Sequence, residues 1–258
     1  MNRLKELVSS GIAGRILHAR VDSHWWRGHN YYDLWWRGTW KMEGGGCTLN
    51  HAVHHIDMLL WLMGRPDSVM SSLANLAHDN AEVEDLSVSI LHYPRSLATV
   101  TGSVVHHGEE QQIELQCEHA RIAWPFKVTA SVARPNGFPE ANTELEDAIK
   151  AKWDSIPDLP YQGHTAQIDD VLACVAGRIE GTGESVRPAI GSGDGRATVE
   201  LITAIYKAGS TQSGVTLPIT EDDAWYTAQG VQEHAIHFYE KRTSSEQLGD
   251  GAITVGGS

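Results

Sequence analysis

Three consecutive glycines, Gly44-Gly45-Gly46, open the stretch that most constrains this chain. Glycine allows close approaches that a Cβ forbids, so the run ends one element and lets two backbones meet. Residues 47–63 then carry a helical pattern up to Gly64, a stop signal, with Pro66 two residues beyond. Asn50, His54, Asp57 and Trp61 recur at spacings of four, three and four, which places them on one helical face. Val53, Ile56, Leu59, Leu60 and Met63 cover much of the rest. A helix apolar over most of its surface is buried. Its polar stripe is therefore expected inside the protein or along a cavity, where each group needs a partner.

At 258 residues the chain can bury one large core or two modest ones. No run approaches the roughly eighteen apolar residues of a membrane span. No basic segment followed by an apolar one opens the chain, so a cytoplasmic protein is expected. A net charge of -13 argues against nucleic acid, whose binders present a basic face. Cys47, Cys117 and Cys174 are far apart and odd in number. They make no disulfide framework and no CxxC pair, and are read as buried free thiols.

In chain order, residues 3–10 read as a helix closed by Gly11, and Arg15 to Val21 alternates as a strand. Residues 22–43 hold Trp25, Trp26, Tyr31, Tyr32, Trp35, Trp36 and Trp40, interleaved with Arg27 and Arg37. Three readings stay open for this cluster: a loop pinned by its own aromatics, a pocket wall for a polar ring-shaped ligand, or base stacking. Sugars and cyclitols fit the second, stacking apolar faces on rings and offering hydroxyls to Arg and Asn. Residues 69–76, 86–93, 97–104, 111–117 and 120–124 alternate as strands with short connections, one broad and mostly antiparallel sheet. Residues 126–160 read as irregular. Helices follow at 163–177, with Ile168, Leu172 and Val175 on its apolar side, and at 195–207. Residues 215–218 are extended, and a last helix over about 221–239 leads into a polar tail.

His54 is the candidate proton carrier, because imidazole is the side chain that changes charge near neutrality. Asn50, one turn earlier, can hold a hydroxyl, and Asp57 can fix the imidazole tautomer. The bland alternative is a histidine satisfied in a buried polar network. The metal alternative takes Cys47, His51 and His55, four apart on another face, as a zinc set for a hydrolase. HExxH is absent and no second ligand set is evident, so no metal is assigned. His106-His107 reads as a solvated turn. His164 opens a helix and can reach another element. A dinucleotide needs a glycine-rich strand-to-helix turn. Gly191-Ser192-Gly193-Asp194-Gly195 comes near one, but no suitable strand precedes it.

Tyr31 to Trp40, Glu43 to Gly46, Asn50, His54, Ile56-Asp57, Trp61 and Gly64 together resemble the glucose–fructose oxidoreductase / inositol dehydrogenase / rhizopine catabolism (Gfo/Idh/MocA) family. Val83-Glu84-Asp85, Gly193-Asp194-Gly195-Arg196 and Val215 to Pro218 extend the resemblance to about residue 220. It implies an NAD(P)-dependent dehydrogenase acting on a sugar, cyclitol or related polyhydroxy compound. It also implies that this chain is similar to the family's C-terminal domain. That domain is α/β (α+β) and dihydrodipicolinate-reductase-like, with helices on one face of an open mixed sheet whose other face builds a homo-oligomer. On this reading residues 1–220 are the substrate and oligomerisation domain, and 221–258 a C-terminal helix and flexible tail. The Rossmann domain, with its glycine fingerprint and Glu-Lys-Pro lysine, is not found here. NAD or NADP is then expected in the complete enzyme and not on this chain alone, with a separate Rossmann-domain chain as one source. The resemblance places the catalytic histidine on His54 and sets Asn50 where many members carry Asp. Trp25, Arg37 and Trp40 of the aromatic cluster are the substrate-contact candidates, the resemblance adds His164, and Asp57, Gly45 and Gly46 are supporting residues. A non-enzymatic carbohydrate-binding module is the other alternative.

Overall fold

The computed structural model describes residues 1–158, 163–179 and 188–248. Helix α1 (Asn2–Ser9) leads into strand β1 (Ile16–His24), and the aromatic segment follows with one 3-10 turn at His29–Asp33. Next come α2 (Cys47–Asn50), α3 (Val53–Met63), β2 (Ser68–Ala74), β3 (Leu86–Tyr93), β4 (Ser96–Ser103), β5 (Gln111–Cys117) and β6 (Ala120–Trp124). The remainder is β7 (Lys127–Ala133), β8 (Pro139–Ala141), α4 (Thr143–Ser155), α5 (Gly163–Ile179), α6 (Ser192–Thr211), β9 (Val215–Thr216) and α7 (Ala228–His234). The nine strands form one sheet in the order β8-β7-β6-β5-β1-β4-β3-β2-β9. Only β1 and β4 pair in parallel; the other neighbours are antiparallel.

Strand alternation sorts this sheet into two faces. Val21, Val69, Leu91, Val100, Ile113 and Leu115 point into a core shared with Ile56 and Leu59 of α3 and Leu201 and Ile205 of α6. Each such side chain contributes about 1.5–3 kcal/mol by leaving water. On the other face Met70, Val88, Ile90 and Leu97 are exposed, and Met70 sits directly opposite Ile90 across the β2–β3 ladder. The α/β architecture with helices on one face of an open mixed sheet is the one expected. No helix among the described residues is long and apolar enough to cross a membrane.

Four expectations are corrected. The helix after the glycines is two helices, broken at His51 and Ala52. Ser23 Oγ donates to the His51 carbonyl, 3.3 Å, and Ala52 N reaches back five residues to Cys47 O, 2.9 Å. An inserted side chain and a wide turn of this kind interrupt the ordinary ladder. The irregular stretch 126–160 contains β7, β8 and α4. The last helix is shorter, Ala228–His234, because Ala235 turns extended at its C-cap. Ile168, Leu172 and Val175 of α5 are exposed rather than packed. All three cysteines are free and buried.

Candidate active site

A buried carboxylate anchors the glycine turn. Glu84 is fully buried, and its Oε2 accepts from Gly46 N at 3.1 Å. Its Oε1 accepts from Thr48 N at 2.9 Å and from the Tyr206 hydroxyl at 3.3 Å, while Cys47 N donates to its carbonyl. Glu84 thus serves α2 as a cap delivered from another segment. Burial pushes its carboxyl up to about 7 against the pull of these donors. The turn can come this close only without side chains. A Cβ on Gly46 would lie 2.0 Å from Glu84 O, and one on Gly45 2.1 Å from the Tyr206 hydroxyl.

Asn50 ends α2 half-buried, with Nδ2 donating to Gly45 O at 2.9 Å, so its amide is oriented by the same turn. His54 stands exposed on the first turn of α3, outside the interior predicted for it. With the helix broken, the shared stripe runs from His54 to Trp61 and does not extend back to Asn50. Asp57 does not orient His54: its Oδ1 accepts from Thr198 Oγ1 of α6 at 2.7 Å, which ties the two helices together. A cleft of about 790 Å³ lies between the second half of α3 and the start of α6, lined by Asp57, Leu60, Trp61, Arg65 and Asp194 among others.

The aromatic segment builds a wall against His51. The Arg27 guanidinium lies over Trp25 and Tyr31, at 5.4 and 5.6 Å from their ring centres. Arg37 lies over Tyr31 and Trp36, at 4.0 and 4.2 Å. Stacking of guanidinium on aromatic faces holds both side chains in place. Glu109 pairs with Arg27 and Glu43 with Arg37, at 2.5 and 2.9 Å. His51 tilts against Trp25 and Tyr31, 5.8 and 6.0 Å between centres. Trp25 and Arg37 therefore belong to this wall. Trp40 does not: it is buried, donates Nε1 to Ile236 O at 3.1 Å, and meets Tyr206 edge-on. His164 is exposed at the start of α5, and no described contact joins it to the wall.

Three residues of this region escaped the sequence reading. His51 was legible only as a metal ligand, although it adjoins Asn50. Arg27 was seen as part of the cluster and not as a site residue. Glu84 was legible only as part of the Val83-Glu84-Asp85 match to the family, with no role attached. The zinc set is not assembled: the Cys47 thiol donates to Gly102 O, His51 packs on the wall, and among the described residues no three His, Cys, Asp or Glu side chains group as ligands. His106 is also not a solvated turn residue; it is part-buried, stacks on His24 at 4.0 Å and bonds Ser103 Oγ.

The buried histidines make a pH prediction. Burial, and then the Arg27 and Arg37 charges, push His51 down to about 3. Burial, and then neighbouring His54, push His55 down to about 4. Both pKa values are depressed below the unfolded value of about 6.5, so their stabilisation is present above that pH. It is lost as pH falls toward 4 and 3, roughly 3–5 kcal/mol for each group. Glu84 acts in the opposite sense. Its pKa is raised, so its contribution is present at low pH and lost as pH rises through about 7. Urea midpoints should therefore peak near pH 6.5 and fall steeply on the acid side. His51→Gln should flatten the acid limb, and Glu84→Gln the decline above it. An acid limb as steep in His51→Gln as in the parent would contradict the assignment.

The glycine-rich start of α6 is capped by its own Asp194, whose Oδ2 accepts from Gly191 N at 2.8 Å.

This fold and wall define a class: an open-sheet α/β domain with a polar and aromatic site at one end of the sheet. Residues 1–123 match the model of the GFO/IDH/MocA C-terminal domain. Among solved structures the chain is similar to the WlbA dehydrogenase of Bordetella pertussis in complex with NADH and UDP-GlcNAcA. Identity is 24%, TM-score 0.65, and the match covers 85% of this chain and 61% of that one. For the WlbA enzyme of Chromobacterium violaceum, also with NADH and UDP-GlcNAcA, the values are 25%, 0.64, 85% and 59%. For aldose-aldose oxidoreductase of Caulobacter crescentus with glycerol they are 19%, 0.61, 84% and 60%. The chain thus spans about three fifths of the length of these proteins. No curated protein matches it.

Proposed function

We infer that this chain is the substrate-binding and catalytic part of an NAD(P)-dependent oxidoreductase acting on a sugar, cyclitol or related polyhydroxy compound. The observation that carries the reading is the meeting of His51, the chain neighbour of Asn50, with the Trp25–Arg27–Tyr31–Arg37 wall next to the glycine turn that holds the Asn50 amide. Aromatic faces take the apolar side of a sugar ring, while guanidinium, amide and imidazole groups take its hydroxyls. His54, exposed on the adjoining helix, is assigned the proton of the reacting hydroxyl, and Asn50 its orientation. An amide cannot itself act as acid or base. The relatives' sugar ligands and NADH support the class. The dinucleotide is assigned to a nucleotide-binding partner, either a joined domain or a separate Rossmann-domain chain. A carbohydrate-binding module without chemistry is the second reading, since the same wall serves it.

Titration of UDP-GlcNAcA, levoglucosan and myo-inositol, followed by tryptophan fluorescence, tests the site. At least one should bind, NADH should bind only weakly, and turnover should require an added dinucleotide-binding half. A micromolar NADH affinity for this chain would overturn the division of labour, and absence of sugar binding would overturn the site. The exposed Met70–Val88–Ile90–Leu97 face is assigned to a homo-oligomer, because a contiguous apolar sheet face is costly in water. Light scattering should give at least a dimer; a monomer throughout the micromolar range would count against it.

A further inference from the structure

We propose that residues 236–245 form a strap that positions the aromatic–arginine wall from behind, so that the substrate site is incomplete without this C-terminal segment. The inference rests on the site reading above. It comes from the backbone partners of the loop that carries Tyr31 and Arg37. Tyr32 to Arg37 lies outside the nine-stranded sheet, yet its peptide groups still need hydrogen bonds. The strap supplies them. Ser245 N donates to Asp33 O at 2.7 Å, and Trp35 N donates to Ser245 O at 2.9 Å, a short parallel bridge between Leu34 and Ser245.

Lys241 adds the strongest link. Its Nζ donates to the carbonyls of Tyr32 and Arg37, the second at 3.1 Å. It therefore grips the loop at Arg37 itself and one residue from Tyr31, the pair whose stacking forms the wall. Asp33, Glu43 and Glu82 surround the ammonium, and burial opposes them by lowering its pKa. Asn80, 3% exposed, clamps strap and loop together. Its Oδ1 accepts from Arg242 N and Thr243 N, both at 2.8 Å. Its Nδ2 donates to Tyr32 O at 3.0 Å and to Thr243 O at 3.0 Å. At the near end Phe238 N donates to Glu82 O, and Ile236 O takes the Trp40 indole. A charged donor on two carbonyls is worth more than a neutral bond. Displacements of about 1 Å at a site wall are enough to change binding and turnover.

The test is Lys241→Met in the full-length chain, which keeps the aliphatic stem and removes both donations, with Lys241→Arg as the rescue. Hydrogen-exchange mass spectrometry should show residues 31–40 exchanging about tenfold faster in Lys241→Met. β3 and β4 should be unchanged, and Lys241→Arg should return toward the parent. UDP-GlcNAcA affinity should fall about tenfold and recover in parallel. Unchanged exchange in 31–40 overturns the strap, and faster exchange with unchanged affinity overturns its positioning role. If Lys241→Met fails to fold, Ser245→Pro removes the donation to Asp33 at the far end and is read the same way. Faster exchange, with none of UDP-GlcNAcA, levoglucosan and myo-inositol bound by parent or variant, supports the strap and overturns the substrate reading instead.

Discussion

Gly46→Ala is expected to destabilise the chain severely, by more than about 4 kcal/mol, the largest stability loss of any single methyl added to it near the site. The added carbon would sit 2.0 Å from the Glu84 carbonyl oxygen and 2.8 Å from its Oε2. Neither neighbour can move aside cheaply. The carbonyl is main chain and accepts from Cys47 N, and the carboxylate is fully buried and accepts from Gly46 N, Thr48 N, the Tyr206 hydroxyl and the Cys47 thiol. Relief would require opening the contact between the glycine turn and residues 82–85, exposing Glu84 without its partners. Losses of this kind exceed about 4 kcal/mol, a large part of the roughly 5–15 kcal/mol that holds a domain folded. Gly44→Ala is the internal control. Gly44 has φ +82, and its added carbon would meet only Leu49 Cδ2 at 3.5 Å. That substitution should cost about 1–2 kcal/mol, for left-handed backbone alone. Urea unfolding of both variants separates close approach from backbone strain. Equal midpoints for the two would remove the Glu84 contact as the reason for Gly46.

The sequence was most legible where a period of two or 3.6 ran unbroken. β3 to β6 alternate cleanly and emerged within a residue of their observed bounds, as did the start of α5. The reading failed where a distant side chain decided the local structure. Nothing in the pattern of residues 47–63 reveals that Ser23, 28 positions earlier, takes the His51 carbonyl and breaks the helix. Asp57 reads as a partner for His54 by spacing, yet Thr198 of α6, 141 residues away, claims it. Trp40 reads as one of an aromatic set, but its indole N–H is satisfied by Ile236 in the C-terminal segment, and it became core. The polar composition after residue 239 suggests a tail, and composition does not show that Asn80 and the loop at 32–37 need those very peptide groups. Glu84 shows the same limit. A buried acid inside a charged run is indistinguishable from a solvated one until the glycine turn is seen lying against it.

In the enzyme completed by a dinucleotide-binding half, His54→Ala is expected to lower the turnover number by about 10²–10⁴ while changing substrate affinity little. Proton transfer belongs to the transition state, so losing the carrier costs rate more than binding. The structure sharpens the contrast with Asn50. Its Nδ2 is committed to Gly45 O, which fixes the amide, while the next residue, His51, packs against Trp25 and Tyr31. Asn50→Ala should therefore weaken apparent affinity more than turnover, because an amide positions a hydroxyl without moving its proton. The broken helix also changes what Asn50→Asp can do. A carboxylate there favours the imidazolium of a nearby histidine and should shift the acidic limb of the rate profile to higher pH. With the two residues on separate helices, the shift should be smaller than one uninterrupted turn would produce. Steady-state kinetics of the three variants across pH read all of this at once. Near-normal turnover in His54→Ala would remove His54 from the chemistry. The proton would then have to be carried by another group, and His51, buried and held neutral beside the wall, would not replace it without a large rise from about 3.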